Sequence, residues 1–224
     1  MSIGFRVLPL TRRIDADLVR QFADLPVANV SDAMNRMAAG GAALRPMHGG
    51  GVLAGPAVTV KARPGDNLML HKALDIAARG DVVVVDAGGD LTNALIGELM
   101  VAHAQSRGLA GIVIFGAIRD VAAIRAGSFP VFAAGVTHRG PYKDGPGEVN
   151  VPIAIDGMVI HPGDLILGDD DGLVTVAIDD AATVLAAASA KHAAETAQMD
   201  KIRRGENPRA WVDETLKRLG CEGV

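Results

Sequence analysis

Two stretches of this chain, Val82–Val85 within DVVVVDAGG and Ile112–Phe115 within GIVIFGAIRD, are apolar runs without alternation. A strand with one wet face alternates apolar and polar residues, so a run without alternation fits a strand covered on both faces. The intervening LTNALIGELMVAHAQSRG reads as largely helical, and FPVFA at 129–133 is a third strand of the same kind. Strand, helix and strand in that order predict parallel pairing with right-handed crossovers, and hence an α/β fold.

Around this core the reading is local. Residues 15–24 form an amphipathic helix with Leu18, Val19 and Phe22 on one side, and Ser31 is a suitable N-cap for a second helix. Residues 40–56 are a Gly-rich connection, VTVKA at 58–62 a strand, and Asn67 to Arg79 a helix stopped by Gly80. After residue 134, VNVPIAID, GMVIHPGD, LILGDDDG and LVTVA read as short antiparallel strands, with Asp156-Gly157 and Asp171-Gly172 marking turns. A long Ala-rich helix runs from Asp180 to about Arg204, and NPRAWVDETLKRLG supplies one more short helix. With no repeat and no long linker, one domain over 1–224 is expected, 181–224 being a C-terminal helical arm.

Composition narrows the function classes. The 224 residues include 22 Lys+Arg against 26 Asp+Glu, a formal net charge of -4, which gives no support to a nucleic-acid or anionic-membrane binder. A single cysteine, Cys221, excludes an intrachain disulfide framework and a Cys-cluster zinc site. No apolar stretch is long enough to span a bilayer, and the N-terminus lacks a signal pattern, so a soluble cytoplasmic protein is expected. Hydrophobic residues make up 49% but aromatics only 3%, which suits closely packed α/β layers built from small and branched side chains.

Neighbouring parallel strands end on one edge of the sheet, and open α/β sheets bind ligands at that edge. The loop after the first strand leads to Gly97-Glu98-Leu99-Met100, and the loop after the second is Gly116-Ala117-Ile118-Arg119-Asp120. A glycine inside a helix costs about 1 kcal/mol relative to alanine. If the helix breaks at Gly97 and restarts at Glu98, the N–H groups of Glu98, Leu99 and Met100 become first-turn donors suited to a carboxylate or phosphate. The other reading is a continuous helix with a tolerated glycine. Arg119 presents a planar fork suited to a carboxylate, and Asp120 a hard oxygen ligand suited to Mg²⁺ or Mn²⁺. Equally, they can be a loop arginine and a dipole-stabilised aspartate at a helix start. Asp169-Asp170-Asp171-Gly172 lacks the spacing of a calcium loop and reads as a turn. VVVVDAGG has no GxGxxG behind it. Lys61, His71 and Lys72 can line a site but are equally explained as structural, and Glu195 by default lies on a solvated helix face.

Taken in order, GDNLMLHKAL, VVVVDAGG, GELM, GIVIFGAIRDV, FPVFA, VNVPI, PGD and DDDG resemble the class II pyruvate aldolases acting on 4-hydroxy-4-methyl-2-oxoglutarate, in the superfamily that also holds the regulator of ribonuclease E activity. The resemblance covers roughly residues 25 to 205. It implies a swivelling β/β/α-type layered sandwich with a parallel strand–helix core and a C-terminal antiparallel region and helix. It further implies that the amides of Gly97, Glu98, Leu99 and Met100 bind the pyruvyl carboxylate and that Arg119 contacts the pyruvyl unit. Asp120 matches the metal-binding aspartate, and Glu195 a glutamate reaching the metal's water shell from a neighbouring subunit. In this chain Glu98 stands where the family usually has Asp. The regulators typically lack the aspartate after the arginine, so Asp120 favours the enzyme branch.

The expected function is therefore a lyase, dependent on Mg²⁺ or Mn²⁺, that cleaves a 4-hydroxy-2-oxo acid to pyruvate and a second oxo acid. Oxaloacetate decarboxylation is a possible side activity by the same enolate chemistry. Arg119, Asp120, Glu98 and Glu195 are its catalytic candidates, and a homotrimer or homohexamer its assembly. The alternative is a non-catalytic regulator binding a ribonuclease or another protein partner.

Overall fold

The structure, a computed structural model, describes residues 3–37 and 43–224; the first residues of the Gly-rich connection, 40–42, lie outside them. The elements run β1 (Phe5–Val7), α1 (Ala16–Ala23), α2 (Val27–Ala33), β2 (Arg45–Pro46), β3 (Leu53–Ala62), α3 (Leu68–Ile76), β4 (Val82–Asp86) and β5 (Ala94–Ile96). They continue with α4 (Glu98–Ser106), β6 (Gly111–Ile118), α5 (Val121–Ala126), β7 (Val131–Val136), β8 (Gly147–Val149), β9 (Ile153–Ile155), β10 (Met158–Ile160), β11 (Leu165–Asp169), β12 (Gly172–Val176), α6 (Ala181–Arg203) and α7 (Ala210–Arg218).

The unalternating runs are explained by two covered faces. β3, β4, β6 and β7 pair in parallel at the centre of a ten-stranded sheet. Val83, Val85, Ile112 and Ile114 point into a core shared with Leu70 and Leu74 of α3 and with Val101 of α4. Val82, Val84 and Val113 point the other way, against Ile153, Ile155, Met158 and Ile166. The hairpin β11–β12 does the same one layer out: Ile166 faces the sheet, while Leu165, Leu167, Val174 and Val176 face Phe22, Val30, Val184 and Leu185 of α1, α2 and α6. Helix, sheet, hairpin and helix thus form a layered sandwich, each strand sending alternate side chains into two cores.

The long strand β3 joins the two β layers. Its first half pairs antiparallel with β11, and its second half pairs parallel with β4. Asp156 and Gly157 carry the positive φ angles, 47° and 83°, that the β9–β10 turn requires, as their sequence predicts.

Four local expectations are corrected. Ser31 lies inside α2 and is not its cap; the helix follows Pro26, and the Val27 N–H donates to Asp169 Oδ2 over 2.9 Å. That cap comes from residue 169, so no local signal announces it. The helix α3 stops at Ile76, before Gly80, because the Asp81 carboxylate accepts the Ala78 N–H at 2.8 Å and holds the turn. The segment 91–108 is not helical throughout: Ala94–Ile96 is a strand pairing with β6. Finally, Val149, the first residue of VNVPIAID, does not belong to the local antiparallel strand, which is Ile153–Ile155, but ends β8, which enters the main sheet parallel to β1 and antiparallel to β3.

Candidate functional site

The strand Ala94–Ile96 determines how the site is built. Ala94 and Ile96 lie beside Ala117 and Ile118 at the C-terminal end of β6, and the Arg119 N–H extends the ladder by donating to Ile96 O over 3.0 Å. That register sets Gly97 next to Asp120. The chain turns at Gly97, whose backbone is extended, and α4 begins at Glu98, so the helix does restart there. Asp120 adopts a left-handed conformation, φ 58° and ψ 34°, which aspartate tolerates better than most residues. Its carboxylate turns back over the start of α4, where Oδ2 accepts the Glu98 N–H at 3.0 Å and lies 3.8 Å from Arg119 Nε.

Gly97 is required by this approach. A Cβ there would overlap Asp120 Oδ2 and come within 3.1 Å of Arg119 Cγ. Of the three first-turn donors expected to be free, Glu98 N–H is taken by Asp120 and Met100 N–H donates to Gly97 O over 3.1 Å. Of these three, only the Leu99 N–H has no acceptor among the described residues.

These residues border a cleft of about 190 Å³, lined by Gly97, Leu99, Met100, Arg119 and Asp120 on one side and by Asn67, His71, Pro141 and Lys143 on the other. Side chains of Arg119 and Asp120 are each 45% exposed, open enough to meet a ligand. The pKa of His71 is lowered, first by burial and then by the positive charge of Lys143, both of which favour its neutral form. A second, larger recess, about 460 Å³, lies between the N-terminal segment and the β10–β12 region and holds none of the candidate residues.

Three residues of the far wall were missed or underread. In the sequence Asn67 reads only as a helix start; in the structure its Nδ2 donates to Leu95 O over 2.8 Å and to Met100 Sδ over 3.4 Å, tying α3 to the segment before Gly97. Its Oδ1 is buried without a partner among the described residues. Lys143, in a loop with no motif, has no sequence signal; for His71 the sequence leaves a site role and a structural role open, and the structure sets it on the cleft wall.

Glu195 is not brought to the cleft within the chain. It accepts from Asn29 Nδ2 at 2.6 Å and pairs with Lys191 at 2.9 Å on the opposite helical layer. Those contacts, Asn29 foremost, lower its pKa. Lys61 and Lys72 stand outside the cleft as well. Asp169 is a helix cap and turn residue, its Oδ1 accepting the Asp171 N–H at 2.9 Å, as a tight turn demands.

Among the described residues, no three His, Cys, Asp or Glu side chains converge as a ready-made metal centre, and no helix is long and apolar enough to cross a membrane.

Fold and cleft together define a layered α/β protein with a cleft at the C-terminal edge of a parallel sheet. The RraA-like family model (Aldolase/RraA) matches residues 27–175, and the chain belongs to that family. A Halalkalibacterium halodurans protein provisionally named 4-hydroxy-4-methyl-2-oxoglutarate aldolase is 39% identical over 184 residues, 82% of this chain and 88% of that one. Among solved structures, an uncharacterized protein from Pseudomonas syringae pv. tomato superposes with a TM-score of 0.75 at 28% identity, covering 86% of this chain and 95% of the other. The RNA-processing inhibitor RraA from Thermus thermophilis superposes with a TM-score of 0.63 at 31% identity, covering 68% and 93%. The family thus includes proteins named for an enzyme and for an inhibitor.

Proposed function

We propose that the chain is a lyase of the 2-oxo acid class, cleaving a 4-hydroxy-2-oxo acid of the 4-hydroxy-4-methyl-2-oxoglutarate type to pyruvate and a second oxo acid. The observation that carries this reading is the convergence of Arg119, Asp120 and the start of α4 on one cleft. An anionic substrate also meets positive charge on the far wall, from Lys143.

The donor set fits a hard divalent cation, Mg²⁺ or Mn²⁺. Asp120 uses Oδ2 for the Glu98 amide, and Glu98, exposed in the first turn of α4, supplies a second carboxylate near that helix start, although it does not line the cleft. One or two carboxylates, with water and substrate oxygens completing the shell, is how Mg²⁺ is commonly held. Asp120 would hold it and Glu98 would order its water. Bound there, such an ion would act as a Lewis acid toward the 2-oxo group.

The remaining work falls to this chain's own groups. The Leu99 N–H and the N-terminal end of α4 receive the substrate carboxylate. When the C3–C4 bond breaks, its electron pair passes to C3 and onto the 2-oxo oxygen as an enolate. The Arg119 guanidinium faces that oxygen and stabilises the growing negative charge. The 4-hydroxyl proton leaves to a water oriented by Glu98, and protonation at C3 then releases pyruvate. Glu195 would join this water only from a neighbouring copy, because in its own chain it lies on the opposite helical layer, away from the cleft, and it would have to exchange its contacts with Asn29 and Lys191 to do so. A trimer or hexamer is part of the proposal for that reason. The same enolate permits decarboxylation of oxaloacetate.

The test is incubation of the purified protein with Mg²⁺ and either 4-hydroxy-4-methyl-2-oxoglutarate or oxaloacetate, with pyruvate measured by a coupled assay. Pyruvate formation that EDTA abolishes supports the lyase; activity undiminished in saturating EDTA removes the metal. No turnover of either substrate, together with inhibition of a ribonuclease, would instead establish the regulator reading, which the likeness to the Thermus inhibitor motivates.

A further inference from the structure

The far wall of the cleft is carried by a loop, and a buried carboxylate outside the cleft holds that loop. Between β7 and β8 the chain is irregular and mostly exposed, yet Pro141 and Lys143 of this segment line the cleft. The Asp66 side chain, in the turn before α3, is only 1% exposed. Its Oδ2 accepts the N–H groups of Asp144 at 2.7 Å and Gly145 at 2.9 Å, the two residues that follow Lys143. Its Oδ1 accepts the Leu68 N–H at 2.9 Å, so the same group fixes the first turn of α3. The cation paired with it is Arg63, whose Nη2 stands 3.5 Å from Oδ2. A carboxylate is costly to bury unless it is hydrogen-bonded. Three amides satisfy this one, and two of them belong to the loop.

The other anchors of the loop flank Lys143 as well. The Tyr142 N–H donates to Gly65 O over 2.8 Å, and Tyr142 O accepts the Asn67 N–H at 3.0 Å. Nearer β7, Asn93 Nδ2 donates to Gly140 O over 2.6 Å and the Ala94 N–H to Arg139 O over 2.8 Å. Gly140 passes so close to Arg119 that a Cβ there would lie 3.2 Å from Nη1. Lysine is a compact charge on a flexible stem, so the backbone that carries it decides where the charge acts. We propose that Asp66 is a positioning residue for substrate selectivity. By holding the backbone on which Lys143 stands, it sets the ammonium across the cleft from Arg119 and so favours 2-oxo acids with a second, distal carboxylate. The inference rests on the oxo-acid reading of the cleft.

The test treats the two oxygens of Asp66 separately, in the full-length protein with Mg²⁺. Asp66→Ser leaves a hydroxyl able to bond the Leu68 N–H two residues on, but too short to reach the loop. Asp66→Asn keeps a carbonyl oxygen for the loop amides. Calorimetry compares binding of 2-oxoglutarate, which has a distal carboxylate and no 4-hydroxyl to cleave, with binding of pyruvate. Asp66→Ser should weaken 2-oxoglutarate about tenfold and pyruvate less than about twofold, with an unchanged circular dichroism spectrum. Asp66→Asn should restore part of that affinity and remain about threefold weak, because a neutral oxygen makes weaker bonds than a carboxylate. That variant decides the matter if Asp66→Ser does not fold. With Lys143→Ala already present, neither change should weaken 2-oxoglutarate further, since Asp66 acts only through the ammonium. Equal weakening of the two ligands, no weakening, or an undiminished loss beside Lys143→Ala would each overturn the proposal. A wild-type protein that binds neither ligand would overturn the oxo-acid reading together with it. Binding of both without turnover of any substrate would remove the lyase and leave the role of Asp66 to be decided by the variants.

Discussion

The backbone N–H of Glu98 donates to Asp120 Oδ2 over 3.0 Å, although the two residues are 22 positions apart. The bond joins the start of α4 to the end of β6 and leaves Gly97 lying against the carboxylate. Gly97→Ala should therefore act through Asp120. Its extended backbone accepts alanine, so the cost is steric, about 1–3 kcal/mol if the neighbours absorb it. We expect a thermal midpoint lowered by a few degrees and pyruvate release lowered at least about 100-fold as Asp120 and Arg119 are displaced. A variant with wild-type turnover would show that the tight approach is not needed for chemistry.

Arg119 offers a planar fork beside Asp120, and a lysine offers the same charge as a point. Arg119→Lys should keep the fold and reduce kcat by roughly 100-fold, the scale of losing one oxyanion donor. Arg119→Ala and Asp120→Ala should each nearly abolish pyruvate release. Circular dichroism with a coupled pyruvate assay separates these effects from unfolding.

Asn67 ties Leu95 O to α3 from a site that is only 2% exposed. Asn67→Ala leaves that carbonyl unpaired and should cost about 1–3 kcal/mol in chemical denaturation. Because Leu95 immediately precedes the Ile96–Gly97 turn, KM and kcat should both worsen. A stability loss with unaltered kinetics would confine Asn67 to a structural role.

How much of this was legible in the residues varies with the range of the interaction that decides each feature. The doubly covered strands could be read from Val82–Val85 and Ile112–Phe115, because burial on both faces leaves its mark within a few residues. The pairing of Gly97 with Asp120 could be guessed from topology, but its cause could not. Ala94–Ile96 is too short to declare itself a strand, and what makes it one is the exposed end of β6. The cap on α2 comes from Asp169, and the end of α3 is set by Asp81 together with Arg13, 2.9 Å away. Such tertiary partners leave no periodicity. The far wall of the cleft was the least legible part, since Lys143 reaches it from an irregular loop.

His71 gives a prediction in which pH separates two causes. Burial is the larger reason its pKa is lowered, and the charge of Lys143 is the next. Its NMR titration should therefore fall below the ordinary histidine range in the intact protein. Lys143→Ala should move it back upward only in part, because burial remains. The sign for stability follows from the unfolded chain binding the proton more readily than the folded one. Above the unfolded pKa both states are neutral and His71 contributes no pH dependence; as pH falls through that value, folding stability declines. His71→Gln, which cannot charge, should lose that part of the acid sensitivity while retaining the fold. The same Lys143→Ala protein should show KM raised about tenfold, roughly 1.4 kcal/mol, for a substrate with a second carboxylate. It should bind pyruvate, which has none, with nearly unchanged affinity. Equal weakening of both ligands would place Lys143 against the pyruvyl end of the cleft and not the distal one.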